Sequence, residues 1–163
     1  MKMFARISLI MIFLVLLICP LWASNQDSHT LTVTIAAINE LNVSGNLGIT
    51  IDTATAGQEP VSETDATSTV DYTTNSATNK KITGQYAISS GNDDHLIIEA
   101  TLTSTSGTSL GQMTLGDVSS IDLVNGLQQC ADAGETLTYE VTATVEQDVG
   151  NHVFVVTYTL TDQ

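Results

Sequence analysis

Apolar residues recur at every second position along most of this chain. Leu137, Tyr139, Val141, Ala143 and Val145 do so before a polar turn, and Phe154, Val156, Tyr158 and Leu160 do so after it. Alternation with a period of two sends successive side chains to opposite faces of a β-strand, whereas an amphipathic helix needs apolar residues at i, i+3, i+4 and i+7. Beyond residue 23 no stretch carries the helical spacing. The chain is therefore expected to be all-β. Alternation in place of continuous apolar runs also selects antiparallel sheets with one wet face over a parallel α/β core.

Several further segments follow the same pattern. Leu31, Val33 and Ile35 alternate with Thr30, Thr32 and Thr34, which predicts a half-buried first strand. Residues 38–43 predict a second, and Leu47, Ile49 and Ile51 a third after the turn Ser44-Gly45-Asn46. Residues 52–69, rich in Thr, Ala, Glu and Ser and containing Pro60, read as a long exposed loop, with a marginal strand at 69–73. Ile82, Tyr86 and Ile88 precede the turn at residues 89–94, and Leu96, Ile98, Ala100 and Leu102 follow it. Met113 and Leu115 suggest a short strand, while Ile121, Leu123 and Val124 fit either a strand or one helical turn. The last two alternating segments, joined by residues 147–151, predict an antiparallel hairpin. Seven to nine short strands in about 140 residues fit an antiparallel two-sheet sandwich of immunoglobulin-like type, with a closed barrel as the alternative.

The N-terminus has a different build. Lys2 and Arg6 precede an apolar run at residues 7–19, and Ala23 offers a small residue before a polar stretch, as in a secretory signal peptide. The run is short of the roughly twenty residues needed to span a bilayer. Cleavage after Ala23 is expected, giving a signal peptide at 1–23, one domain at 24–163 and no membrane span thereafter. Lipid modification at Cys19, which Ile18 and Pro20 disfavour, and retention as an anchor are the alternatives. Either way the domain is placed outside the cytoplasm, secreted or at the cell surface.

Charge narrows the partners. The full chain carries −14, and loss of residues 1–23 removes two of its four basic residues, leaving Lys80 and Lys81 against eighteen acids, or −16. Such a domain repels phosphate backbones and has no basic patch to offset that, so nucleic acid is not an expected partner. Cys19 leaves with the signal, so Cys130 has no intramolecular partner. It is expected to be buried as a small hydrophobe or to form an intermolecular disulfide.

Candidate chemistry is sparse. Gly107-Thr108-Ser109-Leu110-Gly111 matches G-x-S-x-G, and Asp117 or Asp122 and then His152 follow in hydrolase order. That motif works where a strand turns sharply into a helix, and here it sits in a Ser/Thr/Gly loop with no helix after it, so no catalytic residue is assigned and no enzyme is expected. His29, His95 and His152 stand singly, without metal-ligand spacing. Asn92, Asp93 and Asp94 supply oxygens that suit calcium, although the same residues favour an ordinary turn. No cofactor is expected beyond that calcium candidate. Tyr86, Tyr139 and Tyr158 keep phase with apolar neighbours and read as core, leaving Tyr72 as a surface ring.

The two terminal segments suggest a role. The stretch Leu137-Thr138-Tyr139-Glu140-Val141-Thr142-Ala143-Thr144-Val145, with Val153-Phe154-Val155-Val156-Thr157-Tyr158-Thr159-Leu160, resembles the closing hairpin of bacterial secreted Ig-like and pilin-like surface domains. The resemblance implies a sandwich that acts by binding other proteins. The paired cysteines of chaperone-assembled pilins are absent, so no residue roles carry over. Leu31, Val33 and Ile35 have the pattern of a strand that either pairs within its own domain or is donated to a neighbour's sheet. The expected function is a noncatalytic structural or adhesive one, with protein partners and self-association by strand addition. The alternative is a secreted ligand- or calcium-binding module.

Overall fold

The computed structural model describes residues 26–163, and the expected signal peptide, its cut after Ala23 and Cys19 lie outside them. The chain divides into two units, Met1–Ile35 and Ala36–Gln163. In the first, the described residues form no strand, and Leu31, Val33 and Ile35 are 79%, 72% and 79% exposed. The half-buried first strand expected there does not form.

The second unit is all-β, with no helix among the described residues. Nine strands follow in order: β1 Asn39–Val43, β2 Glu63–Thr74, β3 Lys80–Ser90, β4 Leu96–Leu102, β5 Thr108–Ser109, β6 Met113–Thr114, β7 Ile121–Leu127, β8 Cys130–Ala143 and β9 Val153–Asp162. They build two antiparallel sheets, one of five strands in the order β1-β2-β8-β4-β6 and one of four in the order β5-β7-β3-β9. Inward side chains from both sheets close on a core that includes Val70, Tyr72, Ile82, Ile98, Leu102, Leu123, Leu127 and Leu137. Burying each such side chain stabilises by roughly 1.5–3 kcal/mol, which offsets backbone ordering without a disulfide.

The sheet order overturns the expected terminal hairpin. β8 lies between β2 and β4 in one sheet, whereas β9 pairs only with β3 in the other, from Lys80↔Asp162 to Ser90↔Val153. The connection at residues 144–152 therefore crosses between sheets. Adjacent alternating segments fix strand character but not partnership, because β9 is equally apolar towards the core from either sheet.

Other boundaries moved for local reasons. β2 begins within the expected long loop and runs twelve residues. Two of its four inward positions are polar, Ser68 and Thr74, which hid the strand. Leu47 and Ile49 pack half-buried against the core, but residues 47–51 form no strand. Tyr72, expected on the surface, is 2% exposed. β7 is a strand with two register shifts against β3, so Leu123 and Val124 are both buried in succession. One shift sits beside Gly126, whose φ of 77° suits a bulge that glycine adopts without strain.

Candidate association surface

Sheet edges present unpaired backbone N–H and C=O groups, and proteins blunt them with short strands, charges, proline or bulges. Of the four edges here, β5 and β6 have two residues each and β1 has five. β9 has ten and ends its sheet. From Val153 to Thr161 it carries no charge and no proline. Phe154, Val156, Tyr158 and Leu160 point to the core yet are only half-buried, and Val153 and Val155 on the outer face are 47% and 56% exposed. β1 and β9 lie against each other along one side of the sandwich. Half-buried Leu41 and Val43 of β1 and the inward row of β9 thus line the same seam.

Outside β9 the four-stranded sheet carries a shallow polar trough of about 450 Å³ lined by Lys81, Thr83, Gln85, Thr157, Thr159 and Asp162 among others. Lys81 is neutralised there by Asp122 at 2.9 Å, and Lys80 by Asp162 at 2.5 Å. Both lysines of the described chain are therefore paired with carboxylates, and the trough offers an anion no free cation.

At one end of the sandwich a carboxylate cluster ties the 103–107 loop to β2 and β8. Asp132 accepts hydrogen bonds from Tyr72 Oη at 2.6 Å, Ser106 Oγ at 2.6 Å and the Ser106 amide at 2.8 Å. Glu135 accepts from Thr103 Oγ1 at 2.6 Å and the Thr105 amide at 2.7 Å. Burial alone would raise both carboxyls, but these donors outweigh it and hold each below its ordinary value. Burial and then the Asp132 carboxylate push the Tyr72 phenol up. Sequence reasoning missed this cluster because all its donors but Tyr72 come from a loop whose fold the pattern does not encode.

Cys130 begins β8 opposite Thr74 and is half-buried. Burial, then the charge of Asp132, push its thiol above the ordinary value, despite hydrogen bonding from Ser106. The thiolate needed for disulfide exchange is thereby disfavoured.

Two of the three calcium candidates, Asn92 and Asp93, are engaged by protein groups, and Asp94 is exposed. Asp93 Oδ2 accepts from Tyr86 Oη at 2.5 Å, Asn92 Oδ1 accepts from Gln147 Nε2 at 2.6 Å, and Asn92 Nδ2 donates to Asp148 at 3.2 Å. The turn is pinned to the 147–152 loop by these bonds and by His152, whose Nδ1 accepts the Asn92 amide at 3.2 Å. His152 Nε2 lies 2.8 Å from the Asp148 carbonyl oxygen. Among the described residues no group of three His, Cys, Asp or Glu side chains converges to hold a metal.

Ser109 and His152 are not brought together. Ser109 lies opposite Val124, which pairs with Ile82 and through it with Leu160, eight residues along β9 from His152. At 3.3 Å per residue and 4.8 Å per strand that is a separation of roughly 30 Å. Ser109 Oγ instead accepts the Gly111 amide at 3.3 Å. His29 is exposed in the first unit, and His95 Nδ1 sits 3.5 Å from Glu146 at the start of β4.

The chain matches no known protein family, no curated protein and no solved structure.

Proposed function

We propose that this chain is an exported, noncatalytic structural or adhesive subunit of the cell surface or extracellular matrix, an immunoglobulin-like sandwich that associates with other protein chains through an open sheet edge. The observation that supports this reading is β9: ten residues, unpaired on one side, with no charge before Asp162 in a chain that carries eighteen acids. Such an edge templates pairing with another strand, and main-chain hydrogen bonds supply most of the affinity. The surrounding charge, which keeps copies apart elsewhere, leaves this edge as the surface where they meet without opposing carboxylates.

The test is the mass in solution of the exported chain, followed by light scattering across a wide concentration range. Oligomers that grow with concentration are expected. Thr157→Asp, on the outer face of β9, should suppress them without changing the far-ultraviolet circular dichroism, because it sets a carboxylate on the edge where two acidic copies otherwise meet without one. A chain that remains monomeric at every concentration overturns the reading.

A further inference from the structure

Which strand adds to β9 is answered by the stretch that ends the first unit and enters the second at Ala36, whose carbonyl accepts from Asn75 Nδ2 at 2.7 Å. Residues 30–36 read Thr-Leu-Thr-Val-Thr-Ile-Ala, alternate perfectly, form no strand and leave Leu31, Val33 and Ile35 exposed. Three large aliphatic side chains at alternate positions of a stretch that pairs with no strand are an apolar surface that water disfavours. β9 has the complementary deficit: its backbone edge is open, and its inward row Phe154, Val156, Tyr158 and Leu160 is only half covered.

We propose that β9 of one copy accepts residues 30–36 of a second copy as an added strand, with Leu31, Val33 and Ile35 entering the seam between β9 and β1. This rests on the edge-association reading above and names its partner. Thr30, Thr32 and Thr34 then continue the outer face beside Thr157 and Thr159.

Length, charge and competition among edges all support the assignment. Seven residues span about 23 Å as a strand, the same length as residues 154–160 of β9. Between Asp27 and Glu40 the sequence has no acid, and between Asp148 and Asp162 it has none either. Both stretches are long enough for two copies of a strongly acidic chain to align over a full strand without carboxylate facing carboxylate, and β9 is the one long strand at a sheet edge that offers this. The other edges fit worse. β1 is five residues long and carries Glu40, with Asp71 bonded to Asn42 beside it, and β5 and β6 are too short to hold seven residues.

Cross-linking distinguishes the acceptor from assembly itself. In a Cys130→Ser background, chains carrying Thr32→Cys or Thr34→Cys are mixed with chains carrying Val155→Cys, Thr157→Cys or Thr159→Cys and oxidised. Neighbouring strands bring Cα atoms to about 4.5–5.5 Å, within disulfide reach. At least one pairing should form a cross-copy disulfide at roughly tenfold or more the yield of Asn42→Cys on β1, because paired strands hold the thiols at millimolar effective concentration. A synthetic peptide of residues 29–37 should shrink the assemblies of the unmodified chain, and a scrambled peptide should not. Assembly that persists with cross-links at Asn42, with none on β9, or without response to the peptide overturns this assignment while leaving edge association standing. Absence of assembly overturns both, and a doubly substituted Thr32→Cys/Thr157→Cys chain that closes its disulfide within itself at high dilution overturns the exchange between copies.

Discussion

The hydroxyls of Tyr139 on β8 and Tyr158 on β9 hydrogen-bond to each other across the space between the two sheets. Burial is the main cause that pushes both phenols above their ordinary value, so both keep their protons and one donates to the other. The two strands that sequence order suggests as a hairpin thus touch through side chains, not through backbone.

Tyr139→Phe and Tyr158→Phe should each cost about 1–2 kcal/mol, because either leaves one buried hydroxyl without its partner. The double replacement removes both hydroxyls and should cost less than the sum. Urea denaturation of all four chains measures the coupling, and strict additivity would show that the contact contributes nothing.

Acid should weaken the Asp132–Glu135 cluster in a defined direction. Both carboxyls sit below their ordinary values of 3.8 and 4.5 in the folded chain, so the unfolded chain binds protons first as pH falls. Their contribution is full above about pH 4.5 and is lost as pH drops through the lower folded values. Asp132→Asn should cost about 1–3 kcal/mol near neutral pH. Its deficit relative to the unaltered chain should shrink below pH 3.8. A deficit independent of pH would mean that packing, not charge, holds the loop. Reading the difference between two chains cancels the relief of surface repulsion that acid brings to all the other carboxylates.

Gly91 has a φ of 84°, and a Cβ there would meet His152 Nδ1 at 2.6 Å. Gly91→Ala should therefore cost about 1–3 kcal/mol from backbone conformation alone, with the clash added. Combining it with His152→Ala removes the clash with the imidazole but neither the 3.1 Å approach to the residue 152 Cα nor the backbone strain, so the pair should cost less than the two changes summed, as thermal unfolding would show. A neutral Gly91→Ala would mean that the turn at residues 91–94 is free to reshape.

Cys130 should alkylate several times more slowly at neutral pH than a free thiol, because burial and Asp132 raise its thiol. The time course of iodoacetamide labelling measures this. Fast labelling would mean that the thiol is accessible and ionised after all, and assemblies that dissolve in reductant would make it part of the contact.

Where inward positions were filled by large apolar residues, the strands were legible from sequence: β3, β4 and β9 stand close to where alternation placed them. Illegible segments failed for physical reasons. β2 places Ser68 and Thr74 in the interior, where hydrogen bonds such as Thr74 Oγ1 to Asn39 at 2.7 Å stand in for hydrophobicity. In β7 the bulges break the period itself. Residues 30–35 carry a strong strand pattern and form no strand, because alternation reports a strand's capacity to pair and says nothing about where its partner is. Of the candidate residues, Leu31, Val33 and Ile35 were visible from sequence, but the open edge of β9 depends on strand order, which no local pattern encodes.

Strand order also sets when the molecule can become itself. β2 waits for β8, roughly seventy residues later, and β3 waits for β9 at a similar remove, so neither sheet closes before the last third of the chain is present. A polypeptide emerging from its N-terminus has few stable stopping points along the way. Both sheets are assembled late and together, so the fold is completed close to all at once.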